Sequence, residues 1–309
     1  MVIDAASWLD DEFLLGDEEM ILVTGASGNV GSQVLQEVIR TGQPVKALYR
    51  SDRDAAKRPA GVQAGIADFA DRPAMDRALQ GIDQVFLVCG PVPQLVELES
   101  KAIEACKAAG VQYLLSNSSL GAGTFDASFP RWHAEVEKVL VASGVPHSII
   151  RPNSVMQNIV NYYAPTIQTQ GAFYSSMGNA RVSFIDTRDI AGFVARLFTS
   201  PTYRGKTYEL NGPEALTYSQ VADQISQVTG TPARYVDIPI LQQRQAMLDQ
   251  GVPAWQVEAL LDLQRYYTEG GGGEVDSVFA DVVGRQPTRM AQFLKEFASA
   301  FHQSLAHPA

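Results

Sequence analysis

The chain has 309 residues, 46% of them hydrophobic and 19% charged, and a formal net charge of −10 at neutral pH. That acidic surplus excludes nonspecific nucleic-acid binding and docking on an anionic membrane, which both rest on clustered Lys and Arg. Two cysteines exclude a disulfide framework, and no His/Cys cluster has the spacing of a metal centre.

Residues 1–19 form an acidic extension in which Trp8, Phe13, Leu14 and Leu15 stand among Asp and Glu. It reads as a tail, with a short docking helix or an early start codon as alternatives. It lacks the basic start and apolar core of a secretory signal, and no apolar run is long enough to span a bilayer, so the expected location is the cytoplasm.

From Met20 the pattern sharpens. A short apolar run, Ile21 to Val23, breaks into glycines at Gly25, Gly28 and Gly31 and then into a helix, Asn29 to Thr41, with Val30, Val34, Leu35, Val38 and Ile39 on one face. Strand, glycine turn and helix in this order make a pyrophosphate site: Gly25 permits the sharp turn, Gly28 lets backbone N–H groups approach the anion, and Gly31 lets helix and strand pack closely. The Lys-Ser/Thr pair of a P-loop is missing, which favours a dinucleotide over ATP. The second strand, Val45 to Tyr49, ends at Arg50, where an NAD-selective site would place an acid. Arg53, Lys57 and Arg58 follow, so NADP(H) is expected over NAD(H), because guanidinium matches a 2′-phosphate. An exposed charged helix start, with Asp52 and Asp54 interleaved, is the alternative.

Strand-like Val62 to Ile66, helix Arg72 to Leu79, strand Val85 to Val88, helix Leu95 to Ala109, strand Leu114 to Leu115, helix Trp132 to Ala142 and strand Ser148 to Ile150 continue the alternation. The fold class is therefore α/β, a doubly wound parallel sheet of Rossmann type. Beyond Arg151 the rhythm changes. A helix-like Val155 to Tyr163, a turn at Gly171, short strands, a helix at Arg188 to Thr199 and later helices near Tyr218, Ala254 and Thr288 describe a smaller C-terminal substrate lobe. The expected division is residues 20–152 for the dinucleotide-binding domain, rejoined by 182–212, with 153–181 and 213–309 in the lobe. Met290, Leu294 and Phe297 have the helical spacing of core packing.

These motifs carry a resemblance. The loop Thr24 to Gly31, the triplet Ala67-Asp68-Phe69, the segment Arg151 to Asn158, the run Phe184 to Ala191 and the ending Val283 to Pro287 resemble the NmrA-like branch of the atypical short-chain dehydrogenase/reductase superfamily. That branch includes NADPH-dependent quinone reductases, triphenylmethane-dye reductases and regulators that bind the cofactor without turnover. The resemblance implies pyrophosphate contacts at Gly25, Ser27, Gly28, Asn29 and Val30, with Arg50 and Arg53 at the 2′-phosphate. It implies adenine contacts at Asp68 and Phe69, a shelf beneath the cofactor at Val88, Cys89 and Gly90, and Asn158 near the nicotinamide.

Alignment to the branch also places His133 and Glu137 where most of the superfamily carries its Tyr and Lys. One helical turn separates them, so they read either as a proton-handling pair, with Glu137 favouring the charged imidazole, or as an exposed surface pair. Ser118, ending the fifth strand, is the candidate substrate-polarising hydroxyl, with a hydrogen-bonded turn as the alternative. Pro91, Trp132, Met156, Tyr162, Tyr163 and Phe173 are the candidate pocket wall, or else core. Cys89 reads as a small buried hydrophobe or as a redox-active thiol. The expected activity is NADPH-dependent hydride transfer to a small hydrophobic electron-poor acceptor such as a quinone, enone or dye, without a Tyr/Lys relay. A noncatalytic NADP(H)-binding sensor acting through a protein partner is the alternative. The expected partners are this small substrate and, at most, a second copy of the chain.

Overall fold

The structure is a computed structural model that describes residues 19–302; all of the acidic extension but Glu19 lies outside the described residues. In chain order the elements are β1 (Ile21–Val23), α1 (Gly31–Arg40), β2 (Val45–Tyr49), α2 (Asp52–Ala55), β3 (Gln63–Ile66), α3 (Arg72–Ala78), β4 (Gln84–Leu87), α4 (Leu95–Ala109), β5 (Tyr113–Asn117), α5 (Ser128–Ser143) and β6 (His147–Pro152). After a π-helical turn at Ile159–Tyr163 come α6 (Ala164–Gln170), β7 (Ala172–Ser175), α7 (Thr187–Thr199), β8 (Thr207–Leu210), α8 (Tyr218–Thr229), β9 (Arg234–Asp237), α9 (Ile240–Asp249), α10 (Ala254–Thr268), α11 (Val278–Val283) and α12 (Met290–Glu296).

Seven strands form one parallel sheet in the order β3-β2-β1-β4-β5-β6-β8, the doubly wound arrangement that the alternation implies. Its centre is apolar on both faces. Ile21, Leu22 and Val23 of β1 and Val85, Phe86 and Leu87 of β4 are all fully buried, which is why these strands read as continuous runs and not as alternation. One face packs on α1, α7 and α11 through Val34, Leu35, Val38, Phe193 and Phe279. The other packs on α3, α4 and α5 through Met75, Leu79, Ile103, Val136 and Leu140. Each such side chain contributes roughly 1.5–3 kcal/mol by leaving water. The chain runs outward from β1 to β3, then returns to the far side of β1 as β4, so the connections diverge above the carboxyl ends of β1 and β4. A crevice opens at such a switch point.

A second core gathers Met156, Ile159, Ile167, Phe173, Val221, Ile225, Met290 and Phe293 around the two-stranded parallel pair β7-β9. β8 reaches the main sheet from beyond β7, pairing with β6 from Ile149–Thr207 to Pro152–Leu210. The helix expected from Asn29 starts at Gly31, because the preceding residues stay in the turn. The helix expected from Trp132 starts four residues earlier, at Ser128, and the stretch read as a helix from Val155 becomes helical only at Gln157.

Candidate active site

Sterics fix the glycine turn. Gly25 has φ +56°, open to glycine at little cost, and a Cβ there would lie 2.8 Å from Val88 Cγ1. A Cβ on Gly31 would stand 2.2 Å from the carbonyl oxygen of Gly25, so α1 enters against the turn backbone only because that residue has no side chain. The turn closes through Gly28 N–H to Gly25 O at 2.8 Å. Val30 caps α1 without a side-chain acceptor, and no acid stands in the first turn. Among the described residues the N–H groups of Ser27, Asn29 and Val30 have no acceptor, and Ser27, Gly28 and Asn29 are exposed. Unsatisfied donors at the positive end of a ten-residue helix make a cradle for an anion.

Arg50 and Arg53 lie at the carboxyl end of β2, exposed and without an ion pair among the described residues, in a chain whose charge is strongly negative. Arg58 is committed instead to the carbonyls of Ala55 and Val62 at 3.1 Å each, and Ser51 caps α2 through Asp54 N–H. Asp68, after β3, accepts Ala70 N–H at 2.8 Å, and Phe69 beside it is half-buried. Val88, Cys89 and Gly90 leave the end of β4. Thr24 Oγ1 accepts Val88 N–H at 2.9 Å and donates to Val88 O at 3.2 Å, tying this segment to the glycine turn. The Cys89 thiol is pushed up to about 12 by burial and the nearby Glu99 carboxyl, with Arg50 opposing, so it stays protonated.

On α5 the structure corrects three expectations. Glu137 makes no hydrogen bond to His133 and acts on it only through its charge: its Oε1 accepts Arg151 Nε–H at 2.9 Å and its Oε2 accepts Arg151 Nη2–H at 2.6 Å, a two-point pair with little exposure on either side. Ser118 Oγ–H donates to Glu137 Oε1 at 2.5 Å, so its proton is committed and is not free to polarise a substrate. His133 is pushed down to about 4 by burial, which outweighs the opposing Glu137, and its Nδ1 is enclosed without a partner. The ring is therefore a neutral imidazole near pH 7 and not the imidazolium that the spacing suggested. Arg151, which supplies the cation, lies 14 residues from Glu137 on β6, where helix periodicity gives no signal.

The candidate wall divides. Met156 and Phe173 are fully enclosed in the lobe core, where Phe173 packs on Tyr163 at 4.8 Å and Tyr235 at 5.6 Å between ring centroids, so neither faces a ligand. Tyr163 belongs to the same aromatic cluster, while Tyr162 is 59% exposed on the surface. Pro91 is exposed and Trp132 half-buried, and Asn158 is half-buried beside the lobe core. Trp132 stacks edge-on against Phe129 at 5.5 Å and meets Trp255 of α10 at 6.3 Å, an aromatic rim whose far member the sequence reading missed. α10 is anchored there by Asp262, which accepts Ser128 N–H at 3.1 Å and Ser128 Oγ–H at 3.0 Å, and by Arg265, which donates to Asp126 O at 2.6 Å. In the lobe a cavity of about 790 Å3 is bordered by Met177, Arg181, Ile238, Ile240, Tyr267 and Gly270.

The sequence profile described as the NmrA-like family matches residues 17–294. The chain belongs to the NmrA-like family. An NAD(P)H azoreductase of Xenophilus azovorans is 34% identical over 284 residues, covering 91% of this chain and 99% of that protein. The (4-alkanoyl-5-oxo-2,5-dihydrofuran-3-yl)methyl phosphate reductase of Streptomyces griseus subsp. griseus is 32% identical, with 91% and 99% covered. An NADPH-dependent quinone oxidoreductase of Escherichia coli, solved in complex with NADPH, superposes with a TM-score of 0.83 at 27% identity, covering 90% of this chain and 99% of that one. This NmrA-like protein is accordingly an oxidoreductase. Among its described residues no helix is long and apolar enough to cross a membrane.

Proposed function

We propose that this NmrA-like oxidoreductase uses NADPH to reduce a small, hydrophobic, electron-poor acceptor of the quinone, enone or azo and cationic dye type, with no Tyr/Lys proton relay. The cofactor fits the residues present. The glycine cradle that a Cβ would fill, the N–H groups of Ser27, Asn29 and Val30 and the side chains of Arg50 and Arg53, all without a partner among the described residues, suit a pyrophosphate and a 2′-phosphate respectively. Asp68 and Phe69 would face the adenine, Val88 to Gly90 would run beneath the cofactor, and Asn158 would address the nicotinamide. When bound, the reduced nicotinamide supplies the hydride.

The observation that carries the choice of acceptor is the state of the groups on α5 and β6. Arg151 balances the charge of Glu137, Ser118 donates its hydroxyl hydrogen bond to that same carboxylate, and His133 is neutral, so the cluster offers no protonated group that titrates near pH 7. General acid help is typically worth about two to four orders of magnitude, and an alcohol–ketone interconversion would forgo it here. An acceptor whose developing negative charge is delocalised, or whose positive charge is cancelled, depends on it least. What the protein must then supply is orientation and a dry apolar rim, the latter at Pro91, Trp132 and Trp255. The sensor alternative is set aside because the relatives of highest identity reported above are reductases.

Steady-state loss of NADPH absorbance with quinones, azo dyes, cationic triphenylmethane dyes and a cyclic enone tests the reading. Turnover with at least one class is expected, with kcat flat across pH 5.5 to 8, because a group at about 4 does not titrate in that range. Absence of turnover with every class, despite saturable NADPH binding, overturns the assignment of the acceptor. A kcat that inflects near 6.5 and loses the inflection in His133→Ala overturns the neutral imidazole.

A further inference from the structure

Glu99 is an acid for which the scheme above has no use. It lies in the first half of α4 and is fully buried. One carboxyl oxygen, Oε1, accepts Cys89 N–H at 2.9 Å, while Oε2 is enclosed and has no partner. From the opposite side Thr24 Oγ1 accepts the N–H of the preceding residue, Val88, at 2.9 Å. Consecutive backbone donors at the end of β4 are thus captured by side chains from two different elements. The Val88–Gly90 segment takes its shape from both.

The surroundings of Glu99 are apolar on the helix side. Met75 and Leu79 of α3 and its C-cap, and Val136 and Leu140 of α5, join the core that α4 packs into. At the end of β4 the Cys89 thiol faces it, and Arg50 and Asp68 act on that thiol from the ends of β2 and β3. No Lys, Arg or His among the described residues forms an ion pair with Glu99. Burial pushes its carboxyl up to about 8, and the Cys89 thiol lies far above that. A charge on Glu99 would be buried without a cation, next to a segment expected to receive an anionic ligand; both circumstances oppose it, and burial outweighs the Cys89 N–H, which favours the charged form.

We propose that Glu99 is a positioning residue of the cofactor site: an acid that holds the Val88–Gly90 segment in shape beneath the dinucleotide through the Cys89 N–H, and whose ionisation sets a buried negative charge against the anionic cofactor and so weakens its binding. The proposal rests on the NADPH reading above. Ligand binding and proton retention favour each other in this arrangement, so the affinity is full below about pH 8 and falls as the pH rises past it.

The test is NADPH titration, followed by nicotinamide fluorescence, between pH 7.0 and 9.5 for the wild type and Glu99→Gln. The 2′-phosphate, with a second pKa of about 6, is already dianionic throughout. Each protein is compared with itself. The expected ratio of Kd at pH 9.5 to Kd at pH 7.0 is about tenfold or more for the wild type, since one coupled proton permits up to tenfold per pH unit, and below about twofold for Glu99→Gln. Thermal unfolding at each pH verifies that both proteins are folded, and Glu99→Asp, which can ionise, restores a slope. Equal slopes in wild type and Glu99→Gln, or a flat wild type, overturn the role of Glu99 and leave the cofactor reading standing. Failure of the wild type to bind NADPH at pH 7.0 overturns both.

Discussion

Under the proposed reading, Arg50 is the residue that would set the preference for NADPH over NADH. It follows β2, exposed and without an ion pair among the described residues, and a charged hydrogen-bond pair with a phosphate contributes about 1.5–3 kcal/mol. Arg50→Asp should therefore raise the Kd for NADPH by about 10- to 100-fold and change that for NADH far less. Equal losses in parallel titrations of the two cofactors would remove Arg50 from the 2′-phosphate. The glycines and this arginine are legible in the sequence because they obey local constraints: a turn that excludes Cβ and a strand that ends at a set point. The partners of Glu137 are not. Arg151 and Ser118 reach it from β6 and β5, and only the register Ser116–Ile149 and Asn117–Ile150 between those strands brings them to one place. The aromatic residues misled for a related reason, since composition cannot distinguish a ring that faces a ligand from one that fills a core, as Phe173 does.

Among elements, α5 starts without a cap of its own. Its N-cap is Ala127, which has no side-chain acceptor to offer, and the missing cap on Ser128 N–H comes from Asp262, 134 residues beyond Ser128 on α10. Losing a cap costs about 1 kcal/mol, so Asp262→Ala should lower the unfolding midpoint by roughly 2–4 °C, as read by calorimetry. An unchanged midpoint would mean that water serves the N–H of Ser128 equally well. Strand and helix identities up to β6 were legible because period and punctuation agree. Edges were less so. Helix α5 begins before its apolar face does, at Ser128, because a distant helix supplies its cap. The start of α1 was misjudged in the other direction: Asn29 and Val30 suit a helix by pattern, yet the turn keeps them.

For the molecule as a whole, the buried Glu99 and the half-buried His133 set opposing pH trends. Glu99 keeps a proton up to about pH 8 that the unfolded chain releases near 4.5, so stability declines as pH rises between those values. His133 stays neutral down to about pH 4 whereas the unfolded chain takes a proton near 6.5, so stability declines as pH falls between those values. The two slopes, each at most about 1.4 kcal/mol per pH unit, cancel from pH 4.5 to 6.5 and leave Glu99 alone from 6.5 to 8. Urea unfolding should therefore show stability falling from pH 6.5 to 8 relative to Glu99→Gln, and a constant difference across that range would refute the linkage.

The backbone passes again and again between the sheet's cores and the lobe's core, at 150–156, 184–185, 210–216, 267–279 and 282–290. A body sewn to its neighbour by that many threads cannot swing like a door on a single hinge. Opening wide would bend every crossing at once, including the bridge between Val155 and Ile185. The two cores are therefore expected to move as one body when small molecules enter and leave.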